Sequence, residues 1–348
     1  MPAPIRVLVV DDSAVVRQSL SLLLSEAPGI EVVGTARDGL DGVAQAERLR
    51  PDVVTMDVEM PRLDGLAALR RLMLTSPRPV IMVSTRTEAG AATTVEALTA
   101  GAVDFIPKDR LRLGPDRAEV QRELVRKIRT AARSRVHAPA IPPGGPPASP
   151  PPRVRAHAHL VVVGVSTGGP QALHRVLPAL PADLGAPVVI VQHMPPHFTR
   201  SLAQRLDAAC PLRVVEAQPG LRLEPGLAII ARGGEHLLVH RGPRGTVARL
   251  ARTPEALHTP SVDVLFESAA AAYGRTVLGV VMTGMGKDGL AGARAIRAAG
   301  GRVLAQDEAT SVVYGMPRAV AEAGLADAVV PLGEIGPAVA EAAAVVAG

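Results

Sequence analysis

The chain has 348 residues, 47% of them apolar, and a formal net charge of +5. That length accommodates two domains with cores of their own, and that apolar content excludes a disordered protein. A single cysteine, Cys210, excludes a disulfide framework and fits a reducing compartment, and no apolar run approaches the roughly 20 residues that span a bilayer.

Three Phe, two Tyr and no Trp leave Val, Leu, Ile and Ala to build the cores. Such a composition suits parallel sheets covered by helices. The arginines are scattered among acids along the whole chain, so the positive charge reads as solvated surface and not as a nucleic-acid face. The apolar stretch IRVLVV near the N-terminus is short and runs into Asp11 and Asp12, unlike a signal peptide. The expectation is a cytoplasmic protein with no nucleic-acid partner and no membrane insertion.

Strand-like runs in the first part of the chain are IRVLVV (5–10), EVVGTA (31–36), DVVTMD (52–57), PVIMVS (79–84) and VDFI (103–106). Helical patterns lie between them, at 13–26 behind a Ser13 cap, 40–49, 64–74 and 88–100, and a basic helix follows at about 115–134. The alternation predicts a doubly wound parallel sheet. Residues 139–152, PAIPPGGPPASPPP, lack the amide donors and the stiffness for helix or sheet and read as a semi-extended linker. The predicted organisation is a first domain at 1–135, a linker at 136–157 and a second domain at 158–348. In the second domain LVVVG (160–164), PVVIVQ (187–192) and TVLGVVMTG (276–284) read as buried parallel strands. Helices are expected at 168–179, 198–208, 261–273 and 288–299. The Gly- and Pro-punctuated region 212–252 is expected to form hairpins on one edge of the sheet. The fold class is therefore α/β, with two doubly wound parallel-sheet domains.

Open parallel sheets bind ligands at the carboxyl ends of their strands. Strand one of the first domain ends at Asp11 and Asp12, strand three at Asp57 and strand four at Ser84, and Lys108 follows strand five. Three converging carboxylates need a counter-ion, and Mg²⁺ with oxygen ligands is the natural one. The lysine and the serine hydroxyl would complete a phosphate-binding site. A lone strand-end Asp would read as a helix cap, but five matching positions at strand ends read as a site.

The motifs VVDDS (9–13), MDVEMPRLDGL (56–66), VS (83–84) and DFIPK (104–108) resemble a response-regulator receiver domain of flavodoxin-like fold over about residues 3–125. The resemblance implies that Asp57 accepts a phosphoryl group from a histidine kinase. It also implies that Asp11, Asp12, Asp57 and the Glu59 carbonyl hold Mg²⁺, that Ser84 and Lys108 sense the phosphate, and that Phe105 occupies the aromatic switch position. Receivers usually carry Pro directly after the lysine. Here Asp109 stands there and Pro107 precedes, which alters the loop and offers Lys108 a competing carboxylate.

In the second domain Gly164-Val165-Ser166-Thr167-Gly168 matches the nucleophile-elbow pattern G-x-S-x-G, between a strand and a helix. Its rival is a nucleotide-binding loop, but G-x-G-x-x-G spacing is absent and the next strand ends in Gln192-His193 without an acid for a ribose. His193 is the leading candidate base, because it falls at the same sheet edge as Ser166; His197 and His258 are weaker candidates. Asp288, in TGMGKDG (283–289), is placed to orient the imidazole, and a capping role for it is compatible with that. Asp263 and Asp307 are lesser alternatives. The chain order Ser, His, Asp differs from the α/β-hydrolase order, so the elbow does not assign that fold.

The stretches GVSTGGP, IVQHMPPHFTRSLAQRL, PSVDVLFESAA, VMTGMGKDGLAG and AQDEATSVVYGMPRAV resemble the catalytic domain of the chemotaxis protein-glutamate methylesterase (CheB) family over most of 158–345. That resemblance implies a Rossmann-like methylesterase domain. It also implies hydrolysis of methyl esters on chemoreceptor glutamates with release of methanol, and deamidation of certain receptor glutamines. Ser166 would attack, His193 act as base and then acid, and Asp288 orient His193. The Met285 amide and Thr167 would support the oxyanion. No cofactor is expected at the esterase site. Phosphorylation would free a site that the unphosphorylated receiver covers. Three competing readings are a DNA-binding output, a scaffold with a vestigial site and a nucleotide-binding output. No helix-turn-helix is legible after residue 158 to support the first.

Overall fold

The computed structural model describes residues 3–85, 87–111, 117–134, 158–243 and 245–344. The chain divides into two compact units, Met1–Gly144 and Gly145–Gly348. The expected linker at 136–157 lies outside the described residues.

The first unit runs β1 (Ile5–Val10), α1 (Ala14–Ser25), β2 (Ile30–Ala36), α2 (Gly39–Leu49), β3 (Val53–Asp57), α3 (Gly65–Thr75), β4 (Val80–Ser84), α4 (Glu88–Thr99), β5 (Asp104–Pro107) and α5 (Arg117–Ala131). The sheet order is β2-β1-β3-β4-β5 and every pairing is parallel. β3 and β4 are buried at every position, as expected of central strands with helices on both faces. Ser13, Asp38, Asp64 and Thr87 each accept a backbone amide in the first turn of the helix that follows, so four helix starts are fixed by side-chain caps.

The second unit contains β6 (Leu160–Val165), α6 (Gly169–Val176), β7 (Val188–Gln192), α7 (Phe198–Asp207), β8 (Arg213–Glu216), β9 (Leu227–Ile230), β10 (His236–Gly242), β11 (Gly245–Ala251), α8 (Val262–Tyr273), β12 (Val277–Val281), α9 (Leu290–Ala298), β13 (Arg302–Gln306), α10 (Met316–Glu322), β14 (Ala328–Val330) and α11 (Leu332–Ala342). Seven strands form one parallel sheet in the order β14-β13-β12-β6-β7-β9-β8. β6 and β7 are buried throughout, and Phe198 and Phe266 are the largest side chains with no exposure in this unit.

The 212–252 region differs from expectation in one respect. β8 and β9 are not a hairpin; they pair in parallel and extend the main sheet beyond β7. β9, LAII, is buried at all four positions, which fits a strand covered on both faces. Among the described strands, β10 and β11 pair antiparallel, and they form a two-stranded sheet of their own that packs on α8. The sheet also gains β13 and β14, which short apolar runs alone do not announce.

Candidate functional site

In the first unit, neighbouring strands β1 and β3 bring Asp11, Asp12 and Asp57 to one edge, with one carboxylate oxygen of each within 4.8 Å of the others. Lys108 follows β5, two strands away from β3. Its long side chain crosses the end of β4 to place Nζ 2.6 Å from Asp57 Oδ2 and 3.2 Å from Asp11 Oδ2. Burial pushes the Asp57 carboxyl up to about 6, against the pull of the Lys108 hydrogen bond. Burial also raises Asp11. Burial opposes the charge of Lys108, but its bonds to Asp57 and Asp11 outweigh this and hold the ammonium above its ordinary range.

One ammonium cannot neutralise three carboxylates, and beyond its ion pair with Lys108 the buried Asp11 Oδ2 has no hydrogen bond. The cluster therefore fits a hard divalent cation. The start of α3 closes tightly over it: a Cβ on Gly65 would fall 1.8 Å from the Asp57 carbonyl oxygen, so only glycine is accommodated. Glu59 stands two residues past Asp57, its amide 3.4 Å from Asp57 Oδ1. Ser84 is buried at the end of β4. Its hydroxyl receives that of Thr94 at 2.6 Å and lies 3.2 Å from Gly90 O, so it is engaged with α4. Phe105 is 4% exposed, with Lys127 Nζ 5.3 Å from its ring centre. Pro107 closes β5, a short 3-10 turn (Lys108–Leu111) follows, and Asp109 is exposed on it without drawing Lys108 away from Asp57.

In the second unit β6 is the central strand, flanked by β12 and β7. Their carboxyl ends deliver Ser166, Thr283 and His193 side by side. The Ser166 amide donates to Thr283 O at 3.0 Å, and its carbonyl accepts from Gly169 N at 2.8 Å and Gln192 Nε2 at 3.0 Å. Gly168 turns the chain with a φ of 77°, and a Cβ there would meet Val312 at 2.6 Å. His193 is tied to β6 by its amide, 3.1 Å from Val165 O.

The His193 ring holds Asp288 Oδ2 at 2.7 Å through Nε2, while Nδ1 is buried with no hydrogen-bond partner. Facing a carboxylate, Nε2 carries the proton, which leaves the Nδ1 lone pair to accept one. The His258 ring stacks on His193 with centroids 4.2 Å apart. Asp288 Oδ2 also accepts Val262 N at 2.8 Å, and its Oδ1 accepts Ser261 Oγ and Asp263 N, both at 3.0 Å. Burial works against the Asp288 charge, but His193 and the amides at the start of α8 outweigh it and hold this carboxyl well below the usual range. Burial, with Asp288 adding to it, raises the neighbouring Asp263.

Thr167 is 8% exposed, and its carbonyl accepts the Thr283 hydroxyl at 3.0 Å. Gly284 packs straight onto the Ser166 turn: a Cβ there would sit 2.8 Å from Ser166 Cβ. That contact puts the Met285 turn next to Ser166. His197 stands at the start of α7, and Asp307 accepts the Thr310 amide at 3.0 Å within its own loop. Motif reading missed Gln192 and Ser261 as parts of this cluster, and had Asp263 only as an alternative to Asp288. Their signal was available in principle, since a polar side chain closing or capping an otherwise apolar element at the ligand-binding edge needs a partner.

Two family models match the chain: CheB methylesterase over residues 161–339 and response regulator receiver domain over residues 7–112. A relative from Myxococcus xanthus named protein-glutamate methylesterase/protein-glutamine glutaminase 5 is 51% identical over 332 residues, 95% of each chain. The chain belongs to the CheB methylesterase family. Its members include a similarly named protein of Oleidesulfovibrio alaskensis, 45% identical over 366 residues, which are 97% of this chain and 99% of its own. The crystal structure of the Thermotoga maritima CheB methylesterase catalytic domain is 42% identical with a TM-score of 0.52, covering 53% of this chain and 98% of its own. Like the CheB family, this chain is an ester hydrolase joined to a receiver.

Proposed function

We propose that this chain is a phosphorylation-activated protein-glutamate methylesterase that removes methyl groups from chemoreceptor glutamates and deamidates receptor glutamines. The observation that carries the reading is the His193 imidazole, bonded through Nε2 to a deeply anionic Asp288 and presenting an unpartnered Nδ1 one residue beyond the strand beside Ser166. The proposed domains are the receiver at 1–135, the linker at 136–157 and the catalytic domain at 158–348.

In the proposed reaction Ser166 Oγ attacks the ester carbonyl while His193 Nδ1 takes the hydroxyl proton. Asp288 stabilises the resulting imidazolium without taking its proton. The Met285 amide and Thr167 stabilise the oxyanion. His193 then returns the proton to the methoxide, methanol leaves, and the acyl group remains on Ser166. Water deprotonated by His193 attacks the acyl-enzyme, releasing the glutamate side chain and restoring Ser166. With a glutamine substrate, ammonia leaves in place of methanol.

In the receiver, Asp57 is the phosphoryl acceptor, supplied by a histidine kinase of the pathway, with Lys108, Ser84 and Phe105 responding to the new charge. Asp11, Asp12, Asp57 and the Glu59 carbonyl are the groups that would hold Mg²⁺, which supplies charge neutralisation for phosphoryl oxygens. Operation in the cytoplasm belongs to the same reading.

The test is methanol release from a methylated chemoreceptor fragment, with and without Mg²⁺ and a small phosphodonor. Wild type should release methanol and the donor should raise the rate. Ser166→Ala should abolish release, and Asp57→Ala should abolish the donor response. Release unaffected by Ser166→Ala would sink the triad.

A further inference from the structure

Gln192 closes β7 one residue before His193 and is 2% exposed. Its side-chain amide nitrogen donates to two carbonyls, Ser166 O at 3.0 Å and His193 O at 3.1 Å. Two acceptors on one side fix the orientation of the amide, so Oε1 must point the other way. There Oε1 is buried with no donor. It lies against Gly169, where a Cβ would come within 1.9 Å of it.

This placement is costly. A buried acceptor without a partner destabilises a fold, and an aliphatic side chain of similar size would fill the space without that penalty. Strand pairing does not make the amide redundant. The β6–β7 register ends at Val165↔Gln192, with the His193 amide on Val165 O as the last ladder bond. Ser166 and the carbonyl of His193 both lie past that bond. The Gln192 amide is the tie that reaches beyond the ladder to both of them.

We infer that Gln192 is a positioning residue for ester hydrolysis, a single amide that clamps the backbones of Ser166 and His193 at a fixed spacing. The inference rests on reading these two residues as nucleophile and base. It also gives Gly169 a defined part, since any larger residue there would displace the clamp.

A residue that merely packs and one that positions leave different signatures. In the full-length protein, Gln192→Leu and Gln192→Met remove the amide, its tie and its orphaned oxygen together. Three quantities would be measured: methanol release from a methylated chemoreceptor fragment, the rate at which a serine-directed fluorophosphonate labels Ser166, and the thermal midpoint. The expected result is a kcat lowered about 10- to 100-fold, as for a catalytic pair held slightly out of place, with KM unchanged. The labelling rate should fall by a similar factor while the thermal midpoint holds or rises. Wild-type kcat and labelling in either variant would overturn the clamp. So would a fall in kcat that tracks a lowered midpoint in both variants. Methanol release surviving Ser166→Ala would instead overturn the nucleophile assignment beneath the inference.

Discussion

Asp263 and Asp288 cap each other's helices. Asp288 Oδ1 accepts the Asp263 amide at 3.0 Å at the start of α8, and Asp263 Oδ1 accepts the amides of Gly289 at 2.9 Å and Gly292 at 2.7 Å at the start of α9. Each carboxylate thus neutralises the amides that begin the other's helix. The exchange fixes the turn from which Asp288 reaches His193.

Asp288→Asn should leave the fold intact and lower kcat by roughly 10³- to 10⁴-fold, the scale seen when a triad carboxylate is replaced by its amide. The amide no longer stabilises the imidazolium, and it favours moving the neutral ring's proton to Nδ1, where the proposed reaction sends the serine proton. Steady-state methanol release checks the rate, and imidazole NMR checks the tautomer.

Asp263→Ala removes the oxygen that accepts two amides at the start of α9 and should cost about 1–2 kcal/mol of catalytic-domain stability, as for loss of a helix cap. The melting transition of that domain reads this directly. An unchanged transition would mean that the cross-capping carries no stability.

The Asp57 carboxyl, raised to about 6 from 3.8, makes receiver stability depend on pH. The folded state holds this proton more tightly than the unfolded chain does. The stability associated with the protonated carboxyl is present below about pH 4 and is lost as pH rises through the window up to about 6. Asp57→Asn removes the titration and keeps the neutral shape. Its stabilising effect in chelator should therefore grow between those pH values and level off above them, at about 2–3 kcal/mol. Chemical denaturation of the full-length protein across that range, followed with a receiver-specific probe, is the check. A pH-independent difference would refute it.

Gly65→Ala should disable the receiver. The added Cβ would meet the Asp57 carbonyl, a backbone atom that cannot swing aside. Overpacking of this kind costs about 1–3 kcal/mol, and here the displaced group carries the proposed phosphoryl acceptor. Phosphodonor labelling should vanish while donor-independent methanol release persists.

Much of both sites was legible because their chemistry stands at strand ends, where an apolar run stops at a charged or hydroxylic residue. Asp11, Asp57 and Lys108 were marked in this way, as were Ser166, His193 and Asp288. Most helices between strands were legible from their apolar spacing, but α10 and α11 were not. β8 and β9 were misread because short runs broken by Gly and Pro look the same whether their partner is adjacent or distant. Gln192 stayed silent, and Asp263 was legible only as an alternative acid, for a related reason. Their significance lies in atoms contributed from 26 residues away in each case, Ser166 for the one and Gly289 for the other, and no local pattern encodes such a meeting.

The position of β6 at the middle of its sheet carries a consequence for how hydrolytic competence arises. The chain lays down β6, which leads into Ser166, first, then β7, the edge strand β8 and β9 between them, and only afterwards returns to build β12, β13 and β14 on the other side. The proposed base arrives with the first wing and its carboxylate partner with the second. A nascent chain that has completed only the first wing owns a serine and a histidine but no acid to orient them. On the proposed triad, competence would be a coincidence detector for strands from both wings, and two fragments divided between β11 and α8 should be inert apart and active when they re-associate.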